Sequence, residues 1–166
     1  MTAFPEPRGD VADPGALFAR YLDYYRETVL RKTGSLSPEQ QRVSRLPSGW
    51  TPLEVVSHVY FMERRWFLWG FLGEVVADVW GDGEDRWQVP TDVTLGDLGR
   101  RLRTLGERVS DVLATHRLEE VAPPGPRFDG EPASLAWICF HVLQEYARHA
   151  GHLDVAVELA GGDLGE

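Results

Sequence analysis

A cluster of histidine and glutamate residues near the carboxyl end of the chain has the spacing of a metal site. His141, Glu145, His149 and His152 are three or four positions apart, so on a helix they lie along one face. A carboxylate and an imidazole at positions i and i+4 can bind one divalent cation together, because they project from adjacent turns of a rigid helix. Zinc and similar ions take at least three protein ligands. The pattern therefore predicts a further ligand on another helix.

The other histidines of the chain, His58 and His116, are the candidates for that further ligand. The same spacing is also typical of a helix–helix interface, in which such side chains are hydrogen-bonded in the core or face solvent. The spacing alone leaves both interpretations open.

One long helix, predicted from Ser134 to Ala160, positions these side chains. Ser134 supplies an N-cap oxygen at its start. Apolar residues follow at helical spacing, namely Leu135, Ile138, Val142, Leu153, Ala156 and Leu159. Gly151 lies inside this helix and costs about 1 kcal/mol relative to alanine. This cost indicates that a neighbouring helix or a ligand passes close to that turn.

Capping residues and apolar periodicity predict three more long helices and one short helix. They run from Pro14 to about Lys32, Thr51 to about Leu72, Thr94 to about His116 and, for the short helix, Ser37 to about Arg45. The start at Thr51 is the clearest, because the threonine cap, Pro52 and Glu54 form a capping box with proline in the first turn. Four long helices without a convincing strand pattern predict an all-α fold, a four-helix bundle.

Three segments lack helical periodicity. Residues 1–13 are predicted to form a loose N-terminal arm, and residues 118–132 form a crossover rich in proline and glycine. The loop of residues 74–93 contains Trp80 and Trp87. An acidic run accompanies these tryptophans: Asp82, Glu84 and Asp85. Long loops often serve as lids or walls of functional sites; the alternative is that the two tryptophans fill one end of the bundle.

Length and composition limit the classes of protein to which this chain can belong. A chain of 166 residues is predicted to form one domain with its own core. The net charge of −9 argues against a nucleic-acid partner, which would require clustered Lys and Arg. The chain opens without a secretory leader and has no apolar run of the roughly 18 residues that a membrane span needs. We therefore expect a cytoplasmic protein without a membrane partner. The single cysteine, Cys139, is predicted to be a buried packing thiol.

Three sequence segments together resemble the DinB-like superfamily of metalloenzymes, and the resemblance extends over nearly the whole chain. These segments are Gly49-Trp50-Thr51-Pro52-Leu53-Glu54 with His58, Glu63-Arg64-Arg65-Trp66, and Gln144-Glu145-Tyr146-Ala147-Arg148-His149-Ala150-Gly151-His152. Within the superfamily the chain is most similar to an uncharacterised actinobacterial group. That group is related to the mycothiol-dependent maleylpyruvate isomerase and to the bacillithiol and mycothiol S-transferases.

The resemblance implies a four-helix bundle in which His58, Glu145 and His149 hold one divalent metal ion. Many DinB-like relatives have histidine where this chain has Glu145, whereas the isomerase branch resembles this chain in having glutamate. The isomerase has an additional C-terminal domain that helps to build its site, and this chain ends at Glu166. Isomerase activity is therefore not expected.

An activity also follows from the resemblance. A site with three protein ligands keeps a coordination position open for water or substrate. In a thiol transferase that position takes a low-molecular-weight thiol such as mycothiol, which attacks an electrophile as thiolate. Zinc is the first choice of metal, with nickel, iron and manganese as alternatives. His152 and His141 are candidates to hydrogen-bond a metal ligand. Two rival functions would use the same site: a non-catalytic metal- or ligand-binding stress-response module and a metal-dependent hydrolase.

Aromatic residues crowd the second predicted helix. Trp66, Phe67, Trp69 and Phe71 span more than one helix face, so a single apolar stripe cannot bury them all. Cover from the loop of residues 74–93 or from a second subunit is predicted, because large exposed apolar patches are uncommon on monomers. DinB-like relatives are often dimeric, so a homodimer with C2 symmetry is expected.

Overall fold

Four long helices make up the fold. A computed structural model describes residues 6–81, 88–125, 127–128 and 130–163. The helices are α1 (Pro14–Gly34), α2 (Pro52–Arg64), α3 (Leu95–Thr115) and α4 (Leu135–Leu159). Both α1 and α2 pack against α3 and α4, and the described residues contain isolated β-bridges but no strand. The predicted all-α four-helix bundle is confirmed. None of the helices described is both long and apolar enough to cross a bilayer.

Local capping explains where the helices begin. At the start of α2, the Thr51 side chain accepts a hydrogen bond from the Glu54 amide, and the Glu54 carboxylate accepts one from the Thr51 amide. Thr94 and Asp97 make the same reciprocal pair at the start of α3, and the Ser134 side chain caps α4. Each pair satisfies amides that have no partner within the helix, so the starts follow from a few neighbouring residues.

Two elements differ from the helices expected from the sequence. The short helix from Ser37 to Arg45 is a single 3₁₀ turn, Gln40–Arg42. The second long helix changes at Arg65 into a π-helix, Arg65–Phe71, which ends with the Leu72 amide bonded to the Phe67 carbonyl at 3.0 Å. A π-helix turns each residue less far around the axis than an α-helix does. The side chains of this segment therefore point in other directions than they would in the continuous α-helix that was predicted.

The crossover packs closely against the π-helix. A Cβ added to Gly70 would lie 3.2 Å from the Phe128 ring and 3.4 Å from the Arg127 side chain. The glycine thus lets residues 127–128 approach the helix backbone closely. The Arg127 guanidinium lies 4.0 Å from the centre of the Trp66 ring, a cation–π contact. Residues 127–128 of the crossover thus cover part of the aromatic cluster, whereas this cover was predicted to come from the loop of residues 74–93 or from a second subunit.

The crowded aromatic residues are mostly buried within one chain. Phe67, Phe71 and Trp66 are 0%, 4% and 9% exposed, and Trp137 of α4 packs against Trp66 with ring centroids 5.4 Å apart. Trp69 is half-buried. Because the chain itself covers these side chains, their crowding no longer requires a second subunit, and the homodimer stays a prediction.

A buried polar network joins three of the helices. Arg26 of α1 forms a bidentate ion pair with Glu63 of α2, with Nε 3.1 Å from Oε2 and Nη2 bonded to Oε1. The Tyr146 hydroxyl of α4 donates to Glu63 Oε2 at 2.6 Å. All three side chains are at most 2% exposed. Burial disfavours the Arg26 cation, but the Glu63 carboxylate more than compensates and raises the pKa of Arg26. Burial also raises the pKa of Tyr146.

Gly151 is not a point of close helix packing, which corrects one expectation. A Cβ added there would meet no described atom within 4 Å, so the prediction of a neighbouring helix at that turn was wrong. We expect Gly151→Ala to raise the free energy of unfolding by about 0.5–1 kcal/mol, because alanine reduces the entropy of the unfolded chain. Urea denaturation measures the change.

The matched control for this substitution is Gly106→Ala in the middle of α3. A Cβ at Gly106 would lie 2.9 Å from Arg26 Nη1, and that guanidinium is held by its ion pair. We expect no gain in stability at Gly106, since crowding offsets the helix propensity of alanine. Equal effects at the two positions would contradict this interpretation.

Candidate metal centre

His58, Glu145 and His149 meet where α2 faces α4. Each offers one ligand atom, and these atoms lie within 4.8 Å of one another. Glu145 Oε2 is 3.7 Å from His58 Nε2 and 3.4 Å from His149 Nε2. His116 is elsewhere, at the end of α3, where its Nδ1 lies 2.8 Å from Glu120 Oε2. Of the two candidates for a third ligand, the structure brings His58 to the pair on α4.

The helices aim all three side chains inward. Glu145 and His149 occupy successive turns of α4, next to the fully buried Val142 and Leu153. His58 is in the second turn of α2, a position fixed by the capping box at the start of that helix. His58 and His149 are 7% and 5% exposed, and their ring centroids are 4.5 Å apart. Apolar burial on each side thus holds the three polar groups together.

The Trp50 ring packs against the imidazole rings of both His58 and His149. It stacks on His149 with centroids 5.3 Å apart and an interplanar angle of 11°, and it meets the His58 ring edge-on at 5.3 Å. The residue directly precedes Thr51, the α2 cap, so its backbone is anchored. From the sequence, Trp50 belongs only to a segment that resembles a known family. An aromatic residue just before the cap of a helix that carries a candidate ligand was the available signal.

Burial keeps both imidazoles neutral near pH 7. Desolvation lowers the pKa of His58 to about 3, and the charges of His149, Arg65 and Arg148 act in the same direction. Desolvation also lowers the pKa of His149, although the Glu145 carboxylate opposes this effect. Neutral imidazole is the form that binds metal. In addition, His149 Nδ1 is buried without a hydrogen-bond partner among the described residues, a state that costs about 1–3 kcal/mol.

The chemistry of these groups fits a divalent cation. Two neutral imidazoles and one carboxylate are ligands typical of zinc and other first-row metals. Their ligand atoms are also close enough together to contact one ion.

A cavity of about 400 Å³ opens beside the three residues. Trp50, Val55 and Ala156 supply apolar walls, and the exposed Arg148 and His152 supply polar groups. The arrangement can therefore hold a small molecule with both apolar and polar parts next to the candidate ligands.

The two further histidines of the α4 face have different surroundings. The His152 ring lies 5.3 Å from the His149 ring and borders the cavity. His141 instead packs between aromatic rings, 4.2 Å from Trp66 and 5.2 Å from Trp137. Burial lowers the pKa of His141. The structure thus brings His152 to the cavity and places His141 in the aromatic cluster.

The long loop after the π-helix does not wall this cavity in the part of it that the structure describes. Trp80 is instead in contact with Arg65, whose guanidinium lies 4.8 Å from the centre of the indole ring. Arg65 also donates to the Val79 carbonyl at 3.2 Å. Trp87 and the acidic run, namely Asp82, Glu84 and Asp85, lie outside the described residues.

Acid is expected to destabilise the metal-free protein through His58. In the unfolded chain this imidazole takes up a proton near its ordinary pKa of 6.5, whereas in the folded chain its pKa is about 3. Between these two values the unfolded state binds more protons, so the free energy of unfolding falls as the pH falls. Above the unfolded pKa both states are deprotonated and the effect disappears.

Wild type should therefore lose about 1 kcal/mol more than His58→Gln between about pH 7 and pH 5.5. Urea denaturation with a chelator present measures both proteins at each pH. The other titrating groups are shared, so the difference reports the titration of His58 together with its electrostatic interaction with His149. Equal losses in the two proteins would show that His58 is not held neutral by burial.

Comparisons with known proteins identify relatives of this fold. A family model described as mycothiol-S-transferase matches residues 17–162. The chain is also similar to the crystal structure of a DinB-like protein from Bacillus cereus ATCC 10987. The TM-score is 0.66 at 17% identity, and the match covers 90% of this chain and 94% of that chain. At that identity the likeness shows the fold, which confirms the DinB-like bundle. A comparison with curated proteins finds no match.

Proposed function

Because the chain belongs to the mycothiol S-transferase family, we propose that it transfers the thiol mycothiol to an electrophile. In this proposal His58, Glu145 and His149 bind a divalent metal ion, with zinc as the first candidate and nickel, iron or manganese as alternatives. The observation that carries the proposal is the approach of three ligand atoms to within 4.8 Å beside a cavity that can hold a small molecule.

The single cysteine of the chain supports a thiol that comes from a cosubstrate. Cys139 is buried, and burial raises its pKa to about 12. A thiol with that pKa is almost entirely protonated at neutral pH, and the thiolate is the nucleophile. The protein therefore offers no cysteine nucleophile of its own, and the attacking sulfur must belong to a bound molecule.

The metal ion would supply Lewis acidity, lowering the pKa of a coordinated thiol so that thiolate is present at neutral pH. Side chains of this chain would orient the metal ligands, exclude water and bind the reactants. Trp50 fixes the orientation of His149 by stacking on it. Val55 and Ala156 exclude water from one side of the cavity, while Arg148 and His152 can hydrogen-bond polar groups of the thiol or the electrophile.

In the reaction the thiolate sulfur forms a bond to an electrophilic carbon. A leaving group departs with the electron pair of the broken bond, and the thiol proton is released to solvent. No oxidant or reductant is required. The proposed partners are thus a small thiol and a small electrophile.

Metal analysis followed by thiol titration tests the proposal. Protein purified without a nickel column should contain about one equivalent of metal per chain, and after cobalt substitution mycothiol should perturb the visible spectrum. Mycothiol and a fluorogenic electrophile should then give product only with the metal present. His58→Gln provides the inactive control. Bound metal with no response to thiol would exclude the transferase and leave the hydrolase or the binding module.

We also propose a cytoplasmic, single-domain chain that forms a C2 homodimer. Trp137 and Phe140 support the dimer, because these α4 side chains are 52% and 65% exposed and large apolar groups are often covered in assemblies. Light scattering on untagged protein at low micromolar concentration tests it. A mass near 18.7 kDa would exclude the dimer.

A further inference from the structure

Arg148 is a charged side chain of the metal-centre cavity that the proposed metal site does not use. The cavity lining that the structure describes contains two charged residues, Glu145 and Arg148, and Glu145 is already assigned to the metal ion. Arg148 is exposed, and among the described residues it forms no hydrogen bond or ion pair. An arginine without a counter-charge beside a cavity can bind an anionic group of a ligand.

Helical spacing brings Arg148 to the same side of α4 as the candidate ligands. The cavity residues that α4 supplies are Glu145, Arg148, His149, His152 and Ala156. Successive members are one to four positions apart, so they lie along one broad face of the helix. The positive charge of Arg148 also lowers the pKa of both His58 and His149, so its field extends over the space in which the reactants would meet.

Apolar side chains lie beside this charge. Val55 of α2 and Ala156 of α4 are buried, and Leu46 and Trp50 are half-buried. The cavity volume of about 400 Å³ is near the lower end of the range of ligand sites, roughly 300–1,000 Å³. A ligand that matches this part of the cavity is therefore small and combines an apolar body with one anionic group.

We propose that the electrophile is a small organic acid, whose carboxylate binds Arg148 and whose apolar body packs against Trp50 and Val55. This inference rests on the proposed transfer of a thiol to an electrophile. Guanidinium and carboxylate groups form two parallel charge-assisted hydrogen bonds, which fix the orientation of the electrophile relative to the bound thiol. The single carboxylate of Glu145 would only partly neutralise a divalent cation, so the local charge favours an anion although the net charge of the chain is −9.

A matched pair of probes, 4-chloro-3,5-dinitrobenzoate and its neutral amide, tests this substrate class. With either probe the thiolate sulfur bonds to the ring carbon that carries chlorine, chloride leaves with the electron pair, and the thiol proton is released to solvent. The two probes differ in the charged carboxylate. With metal-loaded protein and mycothiol, we expect the KM for the acid to be about fivefold or more below the KM for the amide, as an exposed ion pair predicts.

Binding of the unreactive 3,5-dinitrobenzoate separates this inference from the proposed function, because this acid lacks the chlorine that is displaced. Calorimetric titration of the metal-loaded protein should show the acid binding about fivefold or more tightly than 3,5-dinitrobenzamide, with a preference that falls as salt is added. Equal affinity for the two compounds would overturn the inference even if thiol transfer occurs. A preserved binding preference without product from either chlorinated probe would support Arg148 as the anion site and overturn the proposed function.

Arg148→Gln is the diagnostic variant, and Arg20→Gln is its matched control. Arg20 of α1 is also exposed, forms no ion pair among the described residues and does not line the cavity. We expect Arg148→Gln to lower the preference for the acid over the amide about fivefold, and Arg20→Gln to preserve it. Arg148→Lys should restore part of the preference, because an ammonium group keeps the charge but cannot form the paired hydrogen bonds.

Three results with these variants would overturn the inference. An equal loss of preference in Arg148→Gln and Arg20→Gln would indicate a general charge effect. A preference retained in Arg148→Gln would place the carboxylate on the metal ion. A higher KM for mycothiol in Arg148→Gln, with the preference for the acid unchanged, would assign the arginine to the thiol.

Discussion

Replacing His149 by alanine is expected to weaken zinc binding by more than about 100-fold, since loss of an outer partner of a metal ligand alone costs roughly 10–100-fold. The helices should remain formed, because the buried apolar residues of four helices do not depend on an ion. Competition with a chromogenic chelator measures the affinity, and far-ultraviolet circular dichroism measures the helix content. His58→Ala should give the same result.

His116→Ala is the control for this experiment. That histidine lies at the end of α3 beside Glu120, so its loss should leave zinc binding unchanged. A His149→Ala protein that still binds zinc like wild type would contradict the proposed ligands. Unfolding of that variant would assign the metal a structural role rather than a catalytic one.

Glu63→Gln is expected to lower the free energy of unfolding by about 3 kcal/mol, the lower end of the range for breaking a buried ion pair, because it removes the buried carboxylate and leaves Arg26 paired with the partly exposed Asp23. Arg26 is 2% exposed and Glu63 is 0% exposed, so water cannot take the place of the lost carboxylate charge. Chemical denaturation at neutral pH measures the loss. Glutamine differs from the glutamate carboxylate by one charge and almost no volume.

The matched control for this substitution is Glu27→Gln. Glu27 also forms a bidentate pair with an arginine of another helix, Arg103, but that pair is exposed. Exposed pairs are worth at most about 1 kcal/mol. A loss at Glu63 no larger than the loss at Glu27 would mean that the buried pair is already solvated or neutral in the native state.

The parts of this fold that sequence could predict are those set by near neighbours. Thr51 with Glu54 marks the start of α2, and Ser134 marks the start of α4, because each cap bonds an amide three positions away. The pairing of Glu145 with His149 is likewise a consequence of helical spacing. The approach of His58 to that pair is a long-range contact. The residue types left His58 and His116 as equal candidates, and only the resemblance to a family favoured His58.

The features that the sequence did not reveal depend on contacts between distant segments. Gly70 of the π-helix lies against Phe128, and no pattern within residues 65–71 indicates either the π-helix or that contact. The Arg26, Glu63 and Tyr146 network was also missed. A signal for it was present, since Arg26 lies on the same helix face as the apolar residues Leu22, Val29 and Leu30. A charge at such a position implies a buried partner, although its identity does not follow from spacing.

The buried network of Arg26, Glu63 and Tyr146 also affects which arrangement of the four helices is the most stable. Hydrophobic burial is non-directional, so a rotated or reordered set of the same helices could bury a similar apolar area. Arg26, Glu63 and Tyr146 come from α1, α2 and α4, and rotation of any one of these helices leaves a buried polar group without its partner. Misassembled bundles therefore carry a penalty that the native bundle avoids. We expect a triple variant with apolar residues of similar volume to remain folded but to show broadened side-chain NMR signals, as several helix arrangements become close in free energy.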